Sequence, residues 1–289
     1  MTNRSTVERR SPIDEVAVPE SGEYYAAYGH QSESARFVPE HLLTLLPPDI
    51  QVRTALDIGS GTGISTRLIA GRFTGSRVFA LEPQMSMQDQ ARQTDPPQVT
   101  HLSGAAEDLG GLDLPSLDLV VCSSSIWHMD RPRLFQEIAR RLTAGGRFVF
   151  NIGESFIDLP DVVLAPGNRK YLTELLRAGF ELGMNLPDPR EPGAVQAGPR
   201  PKETIDSLTR TINEAGIDVD SRDLVDQSVN LEESRAWMAI PMYTHSLPGL
   251  TPEQCRAAAE TALSRMPSDA TITTRWLMMC LVRRDESAD

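Results

Sequence analysis

Lysine is nearly missing from this chain. Lys170 and Lys202 are its only two, arginine supplies the rest of the positive charge, no Lys/Arg run occurs, and the net charge is −12. Proteins that grip a nucleic-acid backbone show basic stripes, so nucleic acid is excluded as the main partner. Cysteine is scarce too: Cys122, Cys255 and Cys280 are far apart and form neither a metal-spaced set nor a disulfide framework. That usage predicts a reducing, cytoplasmic setting. There is no apolar run long enough to span a bilayer and no apolar core of a signal peptide at the N-terminus, so no membrane partner is expected. Residues 1–20 are polar and are expected to be a disordered tail. Repeats and low-complexity tracts are absent as well. The remaining 21–289 are enough for one large domain with an insertion.

The most informative stretch is Thr54-Ala-Leu-Asp-Ile-Gly-Ser-Gly-Thr-Gly63, an apolar strand running into a glycine loop. Gly59, Gly61 and Gly63 let a ligand come close to the backbone. A helix from Ser65 to Phe73 then points its N-terminus at the loop, an arrangement suited to a nucleotide-like ligand. The spacing is Gly-x-Gly-x-Gly, not the Gly-x-Gly-x-x-Gly of dinucleotide folds. Asp57 lies in the strand end, two residues before the first glycine. A second strand, Arg77–Leu81, ends at Glu82, about 20 residues after the loop, where a parallel sheet brings an acid to ribose hydroxyls. Further strands read at Val99–Ser103, Leu117–Ser123 and Arg147–Ile152. The last two flank an amphipathic helix, Arg131–Leu142, with Leu134, Phe135 and Ile138 on one face. Strands alternating with helices predict a doubly wound α/β sheet.

These motifs, in this order, resemble class I S-adenosylmethionine (SAM)-dependent methyltransferases. The likeness covers residues 24–152 well and the chain end loosely. It is closest to the small-molecule branch that includes trans-aconitate and ubiquinone-type enzymes. The resemblance implies a Rossmann-like sheet of seven mainly parallel strands, with the last strand antiparallel, and SAM as cofactor. Asp57, Gly59, Ser60 and Gly61 would form the loop side of its site. Glu82 would hold the ribose, and Glu82-Pro83-Gln-Met-Ser-Met87 is similar to the family's acid-Pro-x-x-x-Met element, placing Met87 on the adenine. Gly104-Ala-Ala106-Glu107-Asp-Leu resembles the segment bordering that ring. Many relatives carry aspartate where Ala105 stands, which leaves the contact to the Ala106 backbone and Glu107. Ser123 closes the set at the fourth strand's end.

In relatives an N-terminal helix bearing tyrosines covers the cofactor and substrate. Here Tyr24-Tyr-Ala-Ala-Tyr28 precedes a helix over Glu33–Leu46, and Tyr28 and Arg36 would meet the methionine carboxylate of SAM. The tyrosines also suit plain packing of that helix on the sheet. The core is thus expected over 21–153, with this lid helix included. Residues 154–222 read as a helical insertion, with Leu172, Leu176 and Phe180 spaced by four and a second helix over Pro201–Ala215. The insertion is a substrate lid in one reading, and a stabilising or homodimer-forming appendage in the other. Residues 223–289 return to the sheet, with strands at Leu224–Asn230 and Thr271–Arg283.

Methyl transfer needs orientation of the acceptor above all, and a base only where the acceptor keeps a proton at working pH. His128, just after the fourth strand, is the candidate general base, although helix capping or packing explains a histidine there equally well. Trp127, Tyr24, Tyr243 and His245 are candidates for a small-molecule substrate pocket. No metal is implied. The chemistry read here is methylation of oxygen, nitrogen or carbon on a small, mostly apolar secondary metabolite. Its rivals are a SAM-binding enzyme of the same fold catalysing a non-methylating step such as a cyclisation, and a non-catalytic partner protein.

Overall fold

The computed structural model describes residues 21–160, 164–185, 202–240 and 247–284. The expected tail over 1–20 and the pocket candidates Tyr243 and His245 lie outside the described residues. Seven strands form the main sheet in the order β3(Val99–Leu102)-β2(Arg77–Leu81)-β1(Thr54–Ile58)-β4(Leu117–Cys122)-β5(Leu142–Gly153)-β9(Thr271–Arg283)-β8(Ile217–Asn230). The first five are mutually parallel; β9 runs antiparallel to both β5 and β8. β6(Ile157–Asp158) and β7(Glu203–Thr204) pair in parallel as a separate two-stranded sheet.

Alternation along the strands sorts side chains to two cores, as the period of two requires. Leu56, Ile58, Val120, Cys122, Phe148 and Phe150 face one side, where α5(Arg131–Arg141) and α7(Ile205–Glu214) bury Leu134, Ile138, Leu208 and Ile212. Ala55, Leu119, Val121 and Val149 face the other, under α2(Ser34–Thr44) and α3(Ile64–Arg72). Strands covered on both faces explain the near-continuous apolar runs in their sequences. Asp118, at the amino edge, accepts the Arg53 and Thr54 N–H groups at 2.9 and 3.1 Å and so pins β1 beside β4.

Three features differ from the sequence reading. The tyrosines sit in a helix of their own, α1(Ser21–Gln31), ahead of α2. The expected insertion is narrower than 154–222: α7 belongs to the main core and β8 starts at Ile217, seven residues before the expected strand. Within the insertion, α6(Pro166–Glu181) buries Tyr171, Leu175 and Ala178 against α9(Pro252–Ser264), whereas Leu172, Leu176 and Phe180 are exposed. The buried stripe is offset by one residue from the expected one. No described helix is long and apolar enough to cross a membrane.

Candidate active site

Loops leaving the carboxyl edges of β1, β2 and β4 converge, the usual place for a ligand in a doubly wound sheet. After β1 the chain turns through Gly59–Gly63. Gly59 has φ +63°, and a Cβ there would strike Ser125 Oγ in the loop after β4. Gly61 has φ +55°, yet apart from its chain neighbours no atom of the described residues lies within 4 Å of where its Cβ would stand. One glycine is therefore needed for protein packing, while the other opens onto free space. The Gly61 N–H donates to Glu82 Oε2 at 3.0 Å, and the Gln84 N–H donates to Oε1 at 3.0 Å. Burial pushes the Glu82 carboxyl up, partly opposed by these two donors.

Beneath the loop, Asp57 is fully buried. Its Oδ2 accepts from Ser65 Oγ (2.7 Å) and Thr66 Oγ1 (2.6 Å), which ties β1 to the first turn of α3. Its Oδ1 has no partner among the described residues. Burial raises the Asp57 pKa to about 7 against those hydrogen bonds, and the charges of Asp95 and Glu82 add to the rise.

Helix α1 lies across this crevice. Gly22 meets the backbone of Ser86, and a Cβ on Gly29 would stand 2.7 Å from Ile64 Cδ1. Ser86 and Ile64 belong to the first turns of α4(Met85–Thr94) and α3, whose N-termini flank the crevice. Tyr28 is buried, with its hydroxyl 3.2 Å from Ser34 Oγ and its ring 5.2 Å from that of Trp237 in α8(Leu231–Met238). Tyr28 thus anchors α1 to the α1–α2 hinge. Tyr24 is exposed, and Arg36 pairs with Glu40 on the surface of α2.

The other expected residues fall in two groups. Met87 and Ala106 are buried, Pro83 is exposed, and Met85 stands out from the start of α4. Glu107 Oε1 accepts the Asp130 N–H at 2.7 Å, which couples the β3–β4 connection to the start of α5. Ser60 is buried in the glycine loop and Ser123 half-buried at the end of β4. A 3-10 turn over Ile126–His128 carries Trp127 and His128. The buried His128 Nε2 and Trp127 Nε1 have no partner among the described residues. Burial lowers the His128 pKa, so the ring is neutral at pH 7. His41 pairs with Asp223, and His101 lies beside Asp95.

Sequence reasoning missed Asn151. It is fully buried near the end of β5. Its Oδ1 accepts the Ser124 N–H at 2.7 Å and its Nδ2 donates to Ser124 Oγ at 3.3 Å. Ser124 has φ +54°, the one non-glycine residue in the left-handed region among those described, a conformation that survives only when its surroundings hold it. A lone asparagine in the apolar run Phe148–Ile152 was the available signal. Asn151→Leu is expected to strand the Ser124 N–H, at a cost of roughly 1–3 kcal/mol. A thermal melt should show the loss, with acceptor turnover impaired more than cofactor affinity.

Residues 56–150 match the methyltransferase domain family. This is the class I methyltransferase fold. Its seven mainly parallel strands and its antiparallel β9 are what the motif resemblance implied. The biotin biosynthesis bifunctional protein BioHC of Cellvibrio japonicus is 38% identical over 137 residues, which are 47% of this chain and 27% of that protein. The trans-aconitate 2-methyltransferase of Deinococcus radiodurans is 27% identical over 147 residues, covering 50% of this chain and 55% of that enzyme. The chain thus spans between about a quarter and just over half of these curated relatives. Among solved structures, the [4+2]-cyclase SpnF aligns over 86% of this chain and 82% of its own, with a TM-score of 0.51 and 15% identity, a likeness of fold.

The domain brings SAM with it as cofactor, and the crevice fits that molecule. The unpartnered Asp57 Oδ1 suits its ammonium, the open side of Gly61 leaves room against the loop, and the Glu82 carboxylate at the end of β2 is an acceptor suited to ribose hydroxyls.

Proposed function

We propose that this protein transfers the methyl group of SAM to a small-molecule acceptor, of the kind made in secondary metabolism and handled by the trans-aconitate and ubiquinone-type branch. The observation that carries the reading is the pairing of Gly61 with Glu82 under α1, in a domain that matches methyltransferases. The cofactor supplies an electrophilic methyl group on a sulfonium. The chain supplies position and exclusion of water. Gly59–Gly61 and Ser60 form the floor, Glu82 receives the ribose hydroxyls, and Pro83, Met87, Ala106 and Glu107 border the adenine. Asp57 faces the ammonium end, and Ser123 closes the β4 side. Helix α1, with Tyr24 and Tyr28, covers the crevice, and α6, set apart from the main core on α9, takes the lid role. His128, neutral at pH 7, receives the proton of an acceptor hydroxyl at Nε2.

Incubation with methyl-labelled SAM and a panel of small phenols, carboxylic acids and amines tests this directly, with label expected in one acceptor class. Label appearing only in protein or tRNA contradicts the proposal. SAM binding with no transfer to any acceptor favours the non-methylating alternative. For a hydroxyl acceptor, His128→Gln should slow turnover roughly 100-fold or more. It should also erase the acidic limb of the wild-type pH profile, because protonation of His128 removes the base. An unchanged profile would rule His128 out as the base.

A further inference from the structure

The proposed acceptor side of the crevice contains a row of aromatic rings drawn from three elements. Trp127 follows β4, Phe156 follows β5, and Trp276 lies in β9. The Trp127 and Phe156 rings are parallel within 6° at a centroid distance of 4.6 Å. Trp127 and Trp276 lie 6.2 Å apart at 23°. Gly153, the last residue of β5, pairs in register with Trp276. A Cβ on Gly153 would stand 2.9 Å from Trp276 Cζ3, so the missing side chain leaves room for the indole to lie over the strand end. The Trp276 Nε1–H donates to Gln227 Oε1 at 2.9 Å, and Gln227 Nε2 donates to the Ser34 carbonyl at 2.8 Å. Gln227 is 9% exposed and so fixes the indole from within the fold.

Two properties of this row point outward to a ligand. Phe156 is 42% exposed although it ends a stacked series. The Trp127 Nε1–H and the neighbouring His128 Nε2 are buried without partners among the described residues, an arrangement that costs free energy unless something completes it. The indole can only donate, while the neutral imidazole nitrogen donates or accepts according to its tautomer. Oxygen on a flat ring satisfies such groups while the ring extends the stack.

Resting on the methyltransferase reading, we propose that the acceptor is a planar aromatic compound bearing hydroxyl oxygen. Its ring is received by Phe156, Trp127 and Trp276, and its oxygen meets Trp127 Nε1 and His128 Nε2. Trp276 acts as the specificity residue and Gln227 as its positioning residue. A saturated ring of the same carbon skeleton lacks the flat π face and binds worse.

The test is equilibrium dialysis of the full chain saturated with S-adenosylhomocysteine, using 2-naphthol and its saturated counterpart decahydro-2-naphthol as probes. The naphthol should bind about tenfold more tightly, which corresponds to the upper end of an aromatic pair's contribution. Trp276→Leu and the surface change Phe156→Leu should each reduce that preference severalfold, and Trp276→Phe should restore part of it. Calorimetric affinity for S-adenosylhomocysteine should be unchanged in all three. Phe156→Leu guards against loss of folding, because its ring is largely outside the core. Equal binding of the two probes, or a preference that survives both leucine variants, overturns the inference. Failure of the wild type to bind S-adenosylhomocysteine would instead overturn the cofactor reading on which it rests.

Discussion

Gly61→Arg is expected to raise the Kd for S-adenosylhomocysteine by at least roughly 100-fold while the protein stays folded. Two effects combine. Gly61 sits at φ +55°, where a side chain is strained by about 1–2 kcal/mol. The arginine also starts from a Cβ position clear of all but its chain neighbours, so the ligand and the side chain compete for the space over the loop. Because the Cβ meets no further neighbour, the melting temperature of the free protein should fall only modestly. Gly59→Ala makes the contrast: its methyl strikes Ser125 Oγ and should destabilise the fold itself. Isothermal titration and thermal melts of both variants separate the two cases. A Gly61→Arg protein that binds as well as wild type would mean that the ligand lies elsewhere.

The second large effect concerns pH. Asp57 has its pKa raised to about 7, chiefly by burial. A raised acid stabilises the free protein below its unfolded pKa of 3.8, and that contribution is lost as pH rises through about 7. The shift corresponds to something on the order of 4 kcal/mol. A cofactor ammonium near Oδ1 favours the ionised form, so binding below pH 7 must expel the proton first. Cofactor affinity should therefore fall by up to about tenfold per pH unit below 7, and level off above it. Stability of the free protein and affinity for the cofactor then move in opposite directions with pH. Asp57→Asn should flatten both curves and bind weakly at every pH. Titration between pH 5 and pH 8 in buffers of different ionisation heat would reveal the released proton. Wild-type affinity independent of pH across that span would place the ammonium away from Asp57.

The parts of the fold most legible in the sequence were those in which one local rule acts alone. Arg77–Leu81 and Thr271–Arg283 were read at their observed bounds, because buried strands are apolar runs closed by polar residues or turns. The glycine loop was legible because a backbone at positive φ needs glycine, and Glu82 because it closes an apolar strand. β8 was harder. Its first half, Ile217–Asp223, is rich in aspartate because it forms an edge of the sheet, where charge is tolerated and guards against pairing with other chains. Asp218 pairs with Arg284 and Asp220 with Arg147, contacts that local pattern does not report. Helix α1 was missed because Gly22 and Gly29 lower its helix propensity; close packing on Ser86 and Ile64 selects those glycines instead. On α6 the spacing of Leu172, Leu176 and Phe180 was helical, but the face that packs is set by α9, a long-range partner. The aromatic row unites residues far apart in the chain, so sequence spacing carries no trace of it; Asn151 shows in the sequence only as a polar residue in an apolar strand, and its partner Ser124 not at all.

The central claim is that the crevice between the Gly59–Gly63 loop and Glu82 holds SAM. Calorimetric titration of the purified protein with S-adenosylhomocysteine at pH 8, where Asp57 is ionised, tests it most directly. Saturable one-to-one binding is the expected result. The absence of any saturable heat up to millimolar ligand would contradict it.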